Sequence, residues 1–248
     1  MLPAVDFLGL PLHPVSLWPL LSWLDGELQA GRQRTLLGLY ASCVPVALQD
    51  RAYQDALHAA DVVYADGQGV VWGSRLLGRP VPEKMATTDM LPPIAALAAW
   101  RGYKVFLLGG QPGVAAEAAR RLTEVHTGLQ IAGTLHGYFD SDEEALEAVA
   151  RAQPDILFIG LGVPRQEVFV TRHRERLAAK AILTCGGLFD FASGRTPRCP
   201  SWMTAAGFEW LFRLGLEPQR LWRRYLLGNA QFLWHLGRGL RGPAGKAS

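Results

Sequence analysis

Cysteine is sparse in this chain. The three present, Cys43, Cys185 and Cys199, stand at no metal-like or redox-like spacing. An odd, sparse count argues against a disulfide framework and for reduced thiols in a cytosolic protein. No His/Cys cluster has ligand spacing and no Asp-x-Asp stands near a strand end, so neither a metal nor a cofactor is expected. Long apolar runs are missing too. The longest uncharged stretch, Phe7 to Leu24, is interrupted by Pro11, Pro14 and Pro19, which argues against a membrane-spanning helix. It has no basic segment before it, so it does not read as a signal peptide. There is no Gly-x-Gly-x-x-Gly with an acidic residue about 20 positions on, which argues against a dinucleotide-dependent dehydrogenase, and no Walker loop. No nucleic-acid reader motif occurs.

What is present is a chain of 248 residues, 49% hydrophobic, enough for one large α/β domain with a small appendage. Charge divides unevenly along it. Residues 198–248 hold eight Arg or Lys against two Glu, a net +6, which leaves seventeen basic and twenty acidic residues, a net −3, in 1–197. Eight of the twenty-four aromatics, four of them Trp, also fall in 198–248. A basic, aromatic, leucine-rich tail on a slightly acidic body suits an anionic membrane surface or a phosphate group. The sequence therefore divides into a core, 1–197, and a helical appendage, 198–248.

The stretch from Asp61 to Trp72 organises the rest. Val62 to Ala65 reads as a strand buried on both faces, Asp66-Gly67 breaks it, and Val70 to Leu77 reads as a helix. Asp66 thus stands at the carboxyl end of a strand, where open α/β sheets bind ligands and where a carboxylate can cap the helix or act as a base.

Further strands are expected at Arg34–Tyr40, Tyr103–Leu108, Leu129–Leu135, Asp155–Leu161 and Ala181–Cys185. Helices are expected near Val15–Ala30, Val46–Ala59 and Thr88–Trp100, then from Gly113 to Val125, and from a capping box at Ser141 and Glu144 to Ala152. Strand and helix alternate roughly every 25 to 30 residues, which predicts a Rossmann-like, mostly parallel sheet flanked by helices. Residues 77–88 read as a loop and a candidate mobile segment over a site. Four strands end in glycine-bearing turns: Asp66-Gly67, Gly109-Gly110, Gly160 to Gln166 with Gly162, and Gly186-Gly187 to Asp190. All lie on one edge of a parallel sheet, where free N–H groups and helix dipoles at the turns suit a nucleotide diphosphate. After Gly194 no strand is expected, only helices at Trp202–Leu214 and Arg220–Leu240.

ADGQGVVW, FLLGGQPGVA, HGYF, DILFIGLGVPRQE, GGLFDFASG and FEWLFRLGLEPQRLWRRY occur here in the order seen in the WecG/TagA/CpsF family of bacterial glycosyltransferases, which the chain resembles over about residues 34 to 226. The resemblance implies an inverting, UDP-sugar-dependent hexosyltransferase of the N-acetylmannosaminyltransferase kind, with the donor sugar open. It implies a polyprenyl-diphosphate-linked acceptor at the cytoplasmic membrane face, and a product in teichoic acid, common antigen or exopolysaccharide synthesis. By the same resemblance Asp66 is the general base, Gln166 lies in the active site, and Arg213, Arg220, Arg223 and Arg224 meet the lipid diphosphate. Where the family usually has Thr-x-Asn after its first strand, Gly38 and Tyr40 stand here. Its Glu-Arg is Glu83-Lys84, followed by Thr87-Thr88-Asp89.

Inverting transfer needs one base and groups that hold the leaving diphosphate. Asp66 serves as base; Gly67, Lys84, Gly109, Gly110, Tyr138, Gly160, Gly162, Gln166, Gly187 and Asp190 form the expected donor site. His136 reads as structural and Arg165 as a helix-surface residue. A non-catalytic nucleotide-sugar-binding or scaffold protein is the alternative. The stripe of Leu221, Trp222, Tyr225, Leu226, Phe232, Leu233 and Leu236 can dock on the core, form a homo-oligomer, or lie in the lipid interface.

Overall fold

A computed structural model describes residues 2–205 and 207–241 of the protein. A hairpin of β1 (Val5–Phe7) and β2 (Leu10–Leu12) comes first, then α1 (Leu17–Gln29), β3 (Arg34–Leu39), α2 (Val44–Gln49), α3 (Arg51–Ala59), β4 (Val62–Ala65) and α4 (Gln68–Leu76). Next are α5 (Thr87–Arg101), β5 (Lys104–Gly109), α6 (Val114–Val125), β6 (Gln130–Leu135), α7 (Asp142–Ala152), β7 (Ile156–Gly160), α8 (Arg165–His173) and β8 (Ala181–Thr184). The chain then runs through α9 (Leu188–Ala192), α10 (Ser201–Ala205), α11 (Glu209–Leu216), α12 (Pro218–Trp222), a π turn (Arg223–Leu227) and α13 (Gly228–Arg241).

Strands β3 to β8 form one wholly parallel sheet in the order β4-β3-β8-β7-β5-β6. The expected α/β class holds. Successive strand residues point to opposite faces, so apolar runs supply both at once. Leu36, Val62, Leu107, Phe158 and Leu183 pack with Leu24 of α1, Ile94 of α5 and Ala118 of α6. Their neighbours Leu37, Val63 and Ala65 pack on the other face with Tyr53 of α3, and Leu157 and Ile159 with Leu146 of α7 and Phe169 of α8.

Several local expectations change. The leading turn is the β1–β2 hairpin, whose two turn residues Leu8 and Gly9 both have positive φ, 57° and 85°. That is the twist a two-residue hairpin turn requires, and leucine disguises it in the sequence. The helix expected over Val46–Ala59 is two helices, because Asp50 is extended and its carboxylate accepts the Tyr53 N–H at 3.1 Å, capping α3. The capping box at Ser141 does not form: its hydroxyl makes no capping bond, and Glu144 accepts the Asp140 N–H instead.

Residues 77–88 are pinned rather than a free lid. Val81 and Met85 are buried, the Val81 N–H donates to Ser74 Oγ, and the Met85 N–H donates to the Ala65 carbonyl. The 197/198 boundary divides the chain in sequence but not in packing. Phe232 and Leu236 of α13 share one core cluster with Phe7, Leu10, Leu37 and Val63. Within the expected stripe, Leu221, Tyr225, Phe232 and Leu236 are buried on the protein, while Trp222, Leu226 and Leu233 stay exposed.

Because the sheet is parallel, the carboxyl ends of all six strands share one edge. The chain leaves β5 toward β6 and leaves β7 toward β8, so the topological switch falls between β5 and β7. A cleft opens along this edge.

Candidate active site

The cleft holds about 1290 Å³ and is lined from the sheet edge by Gly38, Tyr40, Asp66, Gly67, Gly110, Gly137, Tyr138, Gly160, Gly162, Gly186, Gly187 and Asp190. From the chain after β8 it receives Arg195, Glu209, Trp210, Arg213, Arg224 and Tyr225. The strand-end turns thus converge, and a basic helical segment closes over them.

Asp66 follows the last residue of β4, and its N–H donates to the Leu39 carbonyl at 2.9 Å. Its side chain is not the helix cap. Gly67, with φ 147°, holds the N-cap position of α4, and no side chain caps that helix. The Asp66 carboxylate points into the cleft, where burial and the nearby Glu209 carboxylate push its pKa up to about 7, against the opposing pull of Arg213, Lys84 and the Thr87 N–H. Gly38 lies directly across: a Cβ there would stand 3.0 Å from both Cβ and Oδ2 of Asp66. The bare backbone at 38 gives the carboxylate its room. Tyr40, two residues on, lies under the Arg224 guanidinium, 4.6 Å from the ring centroid.

The glycines have different tasks. Gly109 does not line the cleft. Its φ is 141°, and a Cβ would meet the Gly160 carbonyl oxygen at 2.3 Å, so it allows β5 and β7 to touch. Gly160 likewise allows β7 to approach β8, since its Cβ would fall 2.6 Å from the Gly186 oxygen. The expectation that the turns offer free N–H groups to phosphate is met only in part. The Gly110 N–H donates to the Gly160 carbonyl at 3.2 Å, and those of Gly162 and Gly186 donate to Gln166 Oε1 at 3.2 and 3.0 Å.

Gln166 is therefore a brace. Its Nε2 donates to Glu167 Oε1 at 2.6 Å, and only 3% of the residue is exposed. Its amide fastens the β7 and β8 turns to each other, so it positions the cleft floor. Glu167 is fully buried behind it, and burial pushes its pKa up to about 7.

Lys84 Nζ stands 3.4 Å from Asp89 Oδ2 and 3.4 Å from Glu209 Oε2, so it is ion-paired across the cleft mouth. Tyr138 is an exposed ring at the lip. Arg165 is exposed at the start of α8, as expected of a helix-surface residue, and its guanidinium also turns to the cleft: it donates to the Gly137 carbonyl at 3.0 Å and lies over the Phe139 ring. His136 is structural as expected, its Nδ1 accepting the Tyr138 N–H at 3.3 Å. Arg213 reaches over the β8 turn, 3.2 Å from where a Cβ on Gly187 would be, and lies over Phe191. Arg224 lines the cleft, whereas Arg223 turns to the Trp222 ring outside it. Arg220 lies outside the residues whose side chains are described.

Sequence reading passed over Arg195, Glu209 and Trp210. Glu209 carried the one available signal, as the first charged residue of a helix in an otherwise basic segment. The chain's Asp-x-Asp, Asp140-Ser141-Asp142, opens α7 away from the cleft, with Asp142 2.8 Å from His173 Nε2. Among the described residues no group of three His, Cys, Asp or Glu is placed to hold a metal.

An open parallel α/β sheet with a glycine-walled cleft at its carboxyl edge, rimmed by arginines, has the architecture of α/β enzymes that bind ligands at that edge. More particularly, the chain belongs to the Glycosyl transferase WecG/TagA/CpsF family, which it matches over residues 5–244. It is 34% identical over 180 residues to an N-acetylglucosaminyldiphosphoundecaprenol N-acetyl-beta-D-mannosaminyltransferase of Bacillus spizizenii, covering 73% of this chain and 70% of that protein. The protein of the same description from Bacillus subtilis is 33% identical over the same shares. That from Staphylococcus aureus is 28% identical, over 73% of this chain and 71% of its own.

Proposed function

We propose that the protein moves a hexosamine from a UDP-sugar to a saccharide carried on polyprenyl diphosphate, with inversion, in the synthesis of a cell-surface polymer. The observation that carries this reading is Asp66, a carboxylate at a strand end, held near neutral pKa inside a cleft with arginines at its rim. A base with a pKa near the working pH combines ionisation with proton affinity. Asp66 takes the proton of the acceptor hydroxyl as its oxygen attacks the anomeric carbon. The bond from that carbon to the UDP oxygen breaks on the opposite face. Arg213, across the β8 turn, and Arg224 supply positive charge to the diphosphates, as planar cations that pair well with phosphate oxygens. The relatives' description names both the acceptor class, an N-acetylglucosaminyl-diphosphoundecaprenol, and the N-acetylmannosaminyl group moved.

The test is UDP release from UDP-N-acetylmannosamine with a short-chain polyprenyl-diphosphate N-acetylglucosamine, alongside other UDP-sugars. Turnover with any of them supports transfer; donor binding without turnover under all of them favours the binding-protein alternative. Turnover is expected to survive excess EDTA, because the carboxylates lining the cleft form no three-ligand group among the described residues, while Lys84, Arg213 and Arg224 supply positive charge there. A loss that Mg²⁺ or Mn²⁺ restores counts against this.

The reaction would take place at the cytoplasmic membrane face. No helix among the described residues is long and apolar enough to cross a membrane. Instead the helical segment leaves Trp222, Leu226, Leu227, Leu233, Trp234 and Leu240 exposed, with Arg223 and Arg238 stacked on the tryptophans. Aromatic and leucine side chains between arginines suit the interface of an anionic bilayer, each cation adding about 1 kcal/mol, screened by salt. Because α13 is part of the core, the informative variant is a substitution, not a truncation. Trp222, Leu226 and Trp234 changed together to Ser should lower co-sedimentation with anionic vesicles several-fold at low salt. If the parent chain does not sediment with those vesicles, the membrane role fails.

A further inference from the structure

The position of Glu209 is not accounted for by donor or acceptor binding. It opens α11, one turn before Arg213, and both side chains face the cleft. The start of α11 is seated on the helix that follows Asp66: Gly207, at φ +76°, lies so close that a Cβ would be 3.0 Å from Gln68 and Trp72. Across the mouth, Glu209 Oε2 meets Lys84 Nζ at 3.4 Å, with only 14% of the lysine side chain exposed. Lys84 is fixed relative to the base. The next residue, Met85, donates its N–H to the carbonyl of Ala65, which immediately precedes Asp66. A continuous path of contacts therefore runs from α11 through Glu209 and Lys84 to the end of β4.

We propose that Glu209 is a positioning residue for Asp66: it holds Lys84 at the cleft mouth and sets the charge balance around the base, so that the base is tuned only when α11 is seated. This rests on the reading of Asp66 as the base. The groups around Asp66 are Tyr40 at the end of β3, Tyr64 on β4 and Cys185 after β8. Lys84, the Thr87 N–H at the start of α5, Glu209 and Arg213 on α11, and Arg224 in the π turn complete the set. Tyr40, Tyr64 and Cys185 are kept neutral by burial. The charge that can be rebalanced is then the carboxylate of Glu209 against three cations.

The sign of each change follows. Glu209 repels a second negative charge and so favours protonated Asp66; it also draws on the Lys84 charge. Glu209→Gln removes the repulsion and frees Lys84 toward Asp66, and both effects lower the Asp66 midpoint. Lys84→Met removes an attracting charge and raises it. A structural role alone would not move the midpoint in opposite directions.

The experiment follows the Asp66 carboxyl by carbon-13 NMR titration in the full-length protein without substrates. It adds the pH profile of kcat/KM with UDP-N-acetylmannosamine and the short-chain lipid acceptor. Glu209→Gln should lower the midpoint by about one unit, which raises the ionised fraction at pH 6 about fivefold. Lys84→Met should raise it, Glu209→Asp should return it part of the way, and the acidic limb of the profile should follow. Unmoved midpoints, or movement in the same direction for Glu209→Gln and Lys84→Met, overturn the proposal. If Asp66→Asn is inactive while Glu209→Gln leaves the midpoint in place, this inference alone fails. If Asp66→Asn turns over normally, the base assignment fails with it.

Discussion

Asp66→Asn is expected to lower turnover by about 10²–10⁴-fold, the usual contribution of a general base, while the fold and UDP binding persist. Asparagine keeps the shape of the side chain in the space that the missing Cβ of Gly38 leaves open, so packing gives no reason for the variant to unfold. It removes only the capacity to accept the proton. Burial holds Asp66 at a pKa of about 7, so the parent enzyme should lose rate as pH falls below that value and plateau above it. The variant should show no such limb. Steady-state rates between pH 5.5 and 8.5, with a thermal melt and UDP titration on the same preparations, decide the matter. Near-parental turnover by a well-folded variant would remove Asp66 from the mechanism.

Gly109→Ala should destabilise the whole protein by on the order of 3 kcal/mol or more, through overlap that no rotamer can relieve. The added methyl would lie 2.3 Å from the Gly160 oxygen and 2.6 Å from its carbon, and both are main-chain atoms of the adjoining strand. Relief requires β5 and β7 to part at the switch point, where the strand-end turns meet. Gly113→Ala is the control. Gly113 also has positive φ, 83°, but nothing lies within 4 Å of the added carbon, so only the conformational cost remains, about 1–2 kcal/mol. Urea unfolding of the three proteins separates the two causes. Equal losses in Gly109→Ala and Gly113→Ala would show that strand contact is not what requires glycine at 109.

The parallel sheet could be read from the sequence because strands buried on both faces must be apolar almost throughout, as Val62 to Ala65 and Ile156 to Ile159 are. Glycine after such a run marked the ligand edge. The sequence does not distinguish a glycine that admits a ligand from one that admits another strand, and so Gly109 and Gly110, adjacent and identical, were grouped together. Direction is hidden in the same way. Gln166 stands at the cleft in the sequence pattern and in the fold, but that its amide meets the two turns is decided by where β8 ends. Asp50 hid a helix break because a capping aspartate inside a helical pattern looks like a solvated one. Glu209 stands out in the sequence only as a first-turn carboxylate, since its proximity to Asp66, 143 positions earlier, exists only once α11 is seated on α4.

Phe7 and Phe232 meet with ring centroids 6.3 Å apart, in a space left open by Gly73. One ring belongs to the β1–β2 hairpin and the other to α13, so this contact joins segments more than 200 residues apart in the chain. During translation the hairpin must wait, with Phe7 uncovered on that side, until every strand of the sheet has been made and α13 has left the ribosome. The same helix carries the exposed Leu233 and Trp234. The step that completes this apolar cluster is thus also the step that presents those exposed apolar side chains.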